Sequence, residues 1–401
     1  MKILGEATLE GTKNYRDKYI DKCAPDHFRT NNELIASSIG LGTYLGQADE
    51  ETNHQVTQAI IECVKQGINL IDSAIIYRGQ QGERSIGKAL RYLIESEYIS
   101  RNELIICTKG GFLTEEKTEY LNWFNQHYIE NNDSQVNTTD LVHNSHCIHP
   151  EYLQDQINLS LDNLGVETID VYYIHNPETQ LLEIPPDVFY KRLHAAFEVL
   201  ESAVEVGKIA AYGIATWDGL RVPPDNAQHL DLAKIKSIAA EVVGNKNDRF
   251  RYIEFPLNMG MPEALIAPTQ NVAGELFTVL EAANSLGLTS IASASLYQAQ
   301  VIGRIPESVV NAIGENFNSD SQRALQYTRS APGLLSALVG MKKLEHIDEN
   351  LKTKIYSSLT REKIQEVTYK IVEVLKSMQL INENCNYDIG RLSSETKVFT
   401  G

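Results

Sequence analysis

The feature that most restricts this chain is a repeated alternation. Short runs that are apolar on both faces take turns with helices that are apolar on one. Val56, Ala59, Ile60, Cys63 and Val64 fall at i, i+3, i+4, i+7 and i+8, and Gly67 follows as a C-cap. The run 68–72 comes next, then a helical segment over 82–96 and the run 103–108. Leu153, Ile157, Leu161 and Leu164 make another stripe, closed by Gly165, before the run 169–175. Leu193, Ala196, Phe197, Leu200, Ala203 and Val204 make a further one, closed by Gly207, before the run 209–215. Later runs are 289–295 and 335–340, with either 237–243 or 252–258 as the sixth; the second of these is the better strand. With 39–44 as the first, eight runs are reached.

Strands buried on both faces and separated by helices belong to a parallel sheet covered on both sides. Eight such units over about 320 residues fit an α/β fold of the (β/α)8 TIM barrel type, with a doubly wound sheet as its rival. Residues 1–36 precede the first unit as an N-terminal extension, a plug or hairpin. The barrel itself is expected over 37–358. Ile364, Val367, Ile371, Val374, Leu375 and Met378 mark an extra C-terminal helix within 359–401, ending in a loose polar tail over 379–401. One connection is too long: 112–149, rich in Asn, Asp and Thr, follows the third strand. Loops of that length are commonly functional, and this one is expected over the barrel mouth.

Composition narrows the class. No stretch of about 18 uncharged apolar residues exists, so no transmembrane helix and no membrane role are expected. The start lacks an apolar segment of secretory type, and five scattered cysteines make no disulfide framework, so a cytoplasmic location is expected. The formal charge of −17 opposes nucleic acid as a partner.

In such barrels the chemistry sits at the C-terminal ends of the strands. The second run ends in Asp72 with Tyr77 just beyond, the third places Lys109, and the fourth ends in His175. Each has an ordinary reading, as helix cap, solvated lysine or turn residue. Together they make one device. An ammonium beside a phenol stabilises the phenolate and lowers its pKa. A carboxylate holds that ammonium, and a neutral imidazole donates a hydrogen bond to a carbonyl oxygen. The set protonates an oxygen as a hydride reaches the adjacent carbon.

The segments DSAIIY, GERSIGKAL, TKGG, IDVYYIHNP and GKIAAYGIAT, with RALQYTRSAPGLLSALVGMKKLEHIDENL further on, resemble the aldo-keto reductase family over roughly 37–355. The resemblance implies a (β/α)8 barrel, NADPH dependence with NADH as the alternative, and reduction of a small-molecule carbonyl substrate. It implies Tyr77 as proton donor, tuned by Lys109 and Asp72, and His175 as the residue that positions the oxygen. It also implies cofactor contacts from Gly42, Thr43 and Asp72. Ala215-Thr216 stand where the family has Ser-Asn, and Glu254 where it has glutamine; these departures fall on the nicotinamide contacts. Ser295 and Leu296 match the pyrophosphate loop. Gly340, Met341 and Lys342 or Lys343 match the adenosine phosphate site, His346 stands where arginine or glutamine is common, and the resemblance implies that Glu349 and Asn350 pair with the adenine.

Other readings were open. Members of such a family also serve as cofactor-bound regulatory subunits on a protein partner, and Lys109 could act as a Schiff-base nucleophile in an aldolase barrel. GLGTYLG (40–46) misses the dinucleotide fingerprint and reads as the first strand. His143, His146, Cys147 and His149 lie close in sequence; zinc spacing normally comes as two separated pairs, so they read as a surface loop cluster and no metal is expected. Cys107 reads as inert packing. Neither the substrate nor the oligomeric state follows from the sequence.

Overall fold

The computed structural model describes residues 2–31, 33–114, 117–244 and 247–378. The expected tail, 379–401, lies outside the described residues. Eight parallel strands close into a barrel in chain order: β1 (Ile39–Gly42), β2 (Leu70–Asp72), β3 (Ile105–Gly110), β4 (Ile169–His175), β5 (Ile209–Ala215), β6 (Phe250–Pro256), β7 (Thr289–Ser293) and β8 (Leu334–Gly340). This is the (β/α)8 barrel, and closure excludes the doubly wound rival. Of the two candidates for the sixth strand, 252–258 lies largely in β6, whereas 237–243 falls in and just past the helix Leu232–Val242. The register aligns the strand tips: Gly42 pairs with Asp72 and Gly340, Lys109 with Tyr173, and Ala215 with both His175 and Glu254.

Leu70, Cys107, Val171, Tyr173, Tyr252 and Ile291 pack together inside the barrel, while the outer faces of the strands meet the surrounding helices in a second, larger cluster. This is why each run is apolar on both faces. The N-terminal segment closes the lower end. Its helix Leu9–Tyr19 lays Tyr15 against the barrel, and an antiparallel hairpin, Phe28–Thr30 with Ile35–Ser37, follows. Ala7 and Ala36 join the interior cluster, and the Asn31 amide donates to the Tyr252 hydroxyl at 2.8 Å. Arg29 donates to the Leu334 carbonyl at 2.8 Å, and Asp26 accepts from the Ser358 amide at 2.7 Å, so the first and last parts of the fold are tied. The helix Arg361–Ser377 buries Ile364, Val367 and Ile371. Among the described residues no helix is long and apolar enough to cross a membrane.

The long 112–149 connection touches the cavity at the barrel mouth through Phe112, alone among its described residues. It contains the helix Lys117–Phe124 and packs a core of its own, in which Phe124, Tyr128 and Cys147 meet Tyr152 of the next helix.

Candidate active site

The strand tips bring three charged side chains into the top of the barrel. Lys109 Nζ lies 2.5 Å from Asp72 Oδ2, 2.9 Å from the Ser73 carbonyl and 3.3 Å from Glu254 Oε2. All three side chains are buried. Burial pulls the Lys109 ammonium down, but the carboxylates of Asp72 and Glu254 override it and the net shift is upward. Burial raises the Asp72 carboxyl, against the pull of Lys109. Glu254 is pushed up to about 8, first by burial and then by the Asp72 carboxylate. One cation thus faces two acids, and burial beside Asp72 favours the protonated form of Glu254. A lysine held charged this way does not suit Schiff-base chemistry.

That assignment carries a sign. A carboxyl titrating near 4.5 when unfolded and near 8 when folded stabilises the fold below the first value, and the gain is lost as pH rises through the second. Between these values the urea midpoint of the wild type should fall relative to that of Glu254→Gln. Parallel curves for the two proteins would exclude a proton on Glu254.

Tyr77 follows β2 on a loop whose next residues, Arg78, Gly79 and Gln80, all have positive φ. The Arg78 guanidinium holds this turn, donating to Asn53 Oδ1 at 2.6 Å and to the Gln81 carbonyl at 3.1 Å. Gly82 opens the next helix so close to the loop that a Cβ there would lie 2.8 Å from Ser73 Oγ and 3.2 Å from Tyr77 Cβ. The Lys109 ammonium sits 5.4 Å from the centre of the Tyr77 ring. Burial raises the Tyr77 phenol above its ordinary value; Lys109 works in the opposite direction without overcoming it. Lys109 thus acts on the phenol in the expected direction, but desolvation of the phenolate outweighs it.

The Tyr77 and His175 rings meet edge to face at 5.8 Å, and Phe112 meets His175 at 5.2 Å. Burial first, then Lys109 and His146, hold the His175 imidazole well below its ordinary value, so it is neutral.

Asp72, Tyr77, His175 and Glu254 line one cavity of about 810 Å3 at the barrel mouth, within the range of small-molecule and cofactor sites. Gly42, Ala215 and Thr216 also line it, as do Ser295, Leu296 and Gly340. His346, Glu349 and Asn350 line its far end. Ser295 Oγ and Asn350 Oδ1 are buried without a hydrogen-bond partner. Lys109 lies beneath the wall. Thr43, Met341 and Lys342 are not on it: the Thr43 hydroxyl turns back to the Asp72 carbonyl at 3.1 Å, and Met341 is buried in the main core.

Sequence reasoning missed several wall residues. Tyr44, Leu45 and Trp217 stand one or two positions past expected contacts, at strand-end loops, and that position was a usable signal. Phe112 opens the loop expected at the mouth, and Ile302 carried no signal. Trp217 is held through Glu178, whose Oε1 accepts the backbone amides of Trp217, Asp218 and Gly219 at 2.6, 3.0 and 3.2 Å. The histidine cluster is also revised: His143 is exposed, but His146 and Cys147 are buried, so the group is not a surface cluster. Among the described residues no group of three or more such side chains is placed to hold a metal ion.

A model of the aldo/keto reductase family matches residues 38–240. The chain is 29% identical over 191 residues to an NADH-specific methylglyoxal reductase of Escherichia coli, covering 46% of this chain and 50% of that protein. It is 28% identical over 190 residues to the aldo-keto reductase YhdN of Bacillus subtilis, covering 46% and 44%. The chain thus spans about half the length of these two relatives. It is 25% identical over 372 residues to a putative voltage-gated potassium channel subunit beta of Schizosaccharomyces pombe, covering 88% of this chain and 94% of that one. Among solved structures, an aldo/keto reductase from Klebsiella pneumoniae in complex with NADP and acetate superposes with a TM-score of 0.53 at 17% identity, covering 86% and 94%. At that identity the likeness shows the fold alone.

Proposed function

Since the chain belongs to the aldo/keto reductase family, we propose that it reduces an aldehyde or ketone to the alcohol using NADPH, with Tyr77 as the proton donor. The observation that carries this reading is the placement of Tyr77 and His175 on one cavity wall, with the Lys109 ammonium 5.4 Å from the phenol ring and paired to Asp72.

Each role follows from the local chemistry. The neutral His175 imidazole has one N–H to give, and a substrate carbonyl oxygen is its natural acceptor. Tyr77 delivers its proton to that oxygen. Lys109 then stands beside the phenolate left behind, and Asp72 keeps the ammonium in place. Tyr44, Leu45, Phe112, Trp217 and Ile302 give the wall an apolar character that excludes water from the reacting oxygen.

Ser295 Oγ and Asn350 Oδ1, both buried without a hydrogen-bond partner, fit a polar ligand along the same wall. When bound, a nicotinamide dinucleotide supplies the hydride. Ala215, Thr216 and Glu254 would hold its nicotinamide end, Ser295 and Leu296 its pyrophosphate, and His346, Glu349 and Asn350 its adenosine end, with Lys342 or Lys343 beside the phosphate. The relatives point both ways on the coenzyme: the Escherichia coli protein is named NADH-specific, and the Klebsiella structure holds NADP. Fluorescence titration with both reduced nicotinamides, followed by a carbonyl panel read as loss of nicotinamide absorbance, tests the reading. Tighter binding of NADPH and turnover of at least one aldehyde or ketone are expected; binding of neither coenzyme would refute it.

A second reading has one specific support, the potassium channel subunit beta named above, which matches along nearly its whole length. On that reading the barrel is a cofactor-bound regulatory subunit on a protein partner. A stoichiometric partner recovered from extract, together with no carbonyl turnover, would favour it.

A further inference from the structure

The catalytic reading leaves one buried histidine unused. His146 is fully buried, and its Nε2 lies 2.7 Å from the carbonyl oxygen of His175. Strand β3 ends at Gly110, whose register partner is Ile174, so the His175 carbonyl stands one position beyond the paired part of the two strands. There the chain after β3 turns away and meets the returning end of the 112–149 segment, where Phe112 bridges His146 and the Cys147 amide donates to the Gly111 carbonyl at 2.8 Å. Gly111 leaves the room: a Cβ on it would lie 2.9 Å from His146 Nε2 and 3.4 Å from the His175 oxygen.

The hydrogen bonds behind His146 fix which nitrogen carries the proton. Arg192 donates to Gln180 Oε1 at 2.8 Å, which orients the amide. Gln180 Nε2 then faces His146 Nδ1 at 2.9 Å and the His146 carbonyl at 3.1 Å. An amide N–H can only donate, so Nδ1 accepts and the imidazole proton sits on Nε2, aimed at His175. Arg192 also donates to the Thr139 carbonyl at 2.8 Å, binding the same chain of contacts to the middle of the long connection. Burial pushes the His146 imidazole down to about 4, against the bond to His175, so the ring is neutral near pH 7.

We propose that His146 is a positioning residue for His175: the Arg192–Gln180–His146 relay anchors the tip of β4 and so fixes where the His175 ring meets the substrate oxygen. The 112–149 connection then acts from behind the catalytic wall. The proposal rests on the reductase reading for its effect on rate, though not for the contact itself.

Two variants separate the roles. His146→Leu removes the donor and should lower kcat by about 10- to 100-fold, as loss of fine placement commonly does. His146→Gln keeps an N–H at the reach of Nε2 and should recover most of that loss. In a His175→Ala background His146→Leu should cost nothing further in kcat. Equal losses in both backgrounds, or a glutamine variant no better than leucine at equal thermal stability, would overturn the proposal. Labelled imidazole NMR of the wild type should find the His146 proton on Nε2; a proton on Nδ1 would also overturn it. Should the wild type turn over no carbonyl, the reductase reading falls by itself. The proposal is then decided by the His175 ring signals, which should move in His146→Leu and return in His146→Gln. Unmoved signals would refute it.

Discussion

Replacing Tyr77 with phenylalanine is expected to lower kcat by about 10²- to 10⁴-fold, the usual worth of a placed general acid. Binding of the reduced nicotinamide should change little. The ring would keep its contacts with Tyr44 and His175, which meet it at 5.0 and 5.8 Å, and only the hydroxyl would be lost. Pre-steady-state turnover beside a fluorescence titration checks both halves. Undiminished turnover would remove Tyr77 from the chemistry.

Lys109→Met should be the most damaging single change to the fold as well as to the rate. It leaves Asp72 and Glu254 buried with no cation, and breaking a buried pair from one side costs about 3–5 kcal/mol. The variant should unfold at a clearly lower urea concentration. Because the lost term is the uncompensated acid, adding Asp72→Asn should restore part of the stability while turnover stays abolished. A Lys109→Met protein as stable as the wild type would mean that the lysine pairs with neither acid.

How much of this was legible in the sequence depends on how far each signal reaches along the chain. The barrel was readable because its cause is local: runs such as 169–175 must be apolar on both faces to sit between an interior cluster and a helix. Asp72, Lys109 and His175 were readable because a strand tip is marked by its own end, and Tyr77 because the family pattern places it. The link between Lys109 and Glu254 was not, since it joins β3 to β6 through closure of the sheet. His146 was visible only as one member of a loop cluster; its partner lies 29 residues on, and no periodicity connects them. Thr43 and Met341 do not line the cavity for a simpler reason. A residue beside a strand tip can point back into the protein as readily as out of it, and the alternation that decides this breaks down where the strand ends.

The pairing of Gly340 with Gly42 has a consequence for synthesis. The first and last strands of the barrel become neighbours only after some 300 residues between them have been translated. Until then a nascent chain carries an open, largely apolar sheet with two unsatisfied edges, the condition under which chains associate with one another. Pairing of Gly340 with Gly42 removes both edges at once, so closure of the barrel ends that exposure.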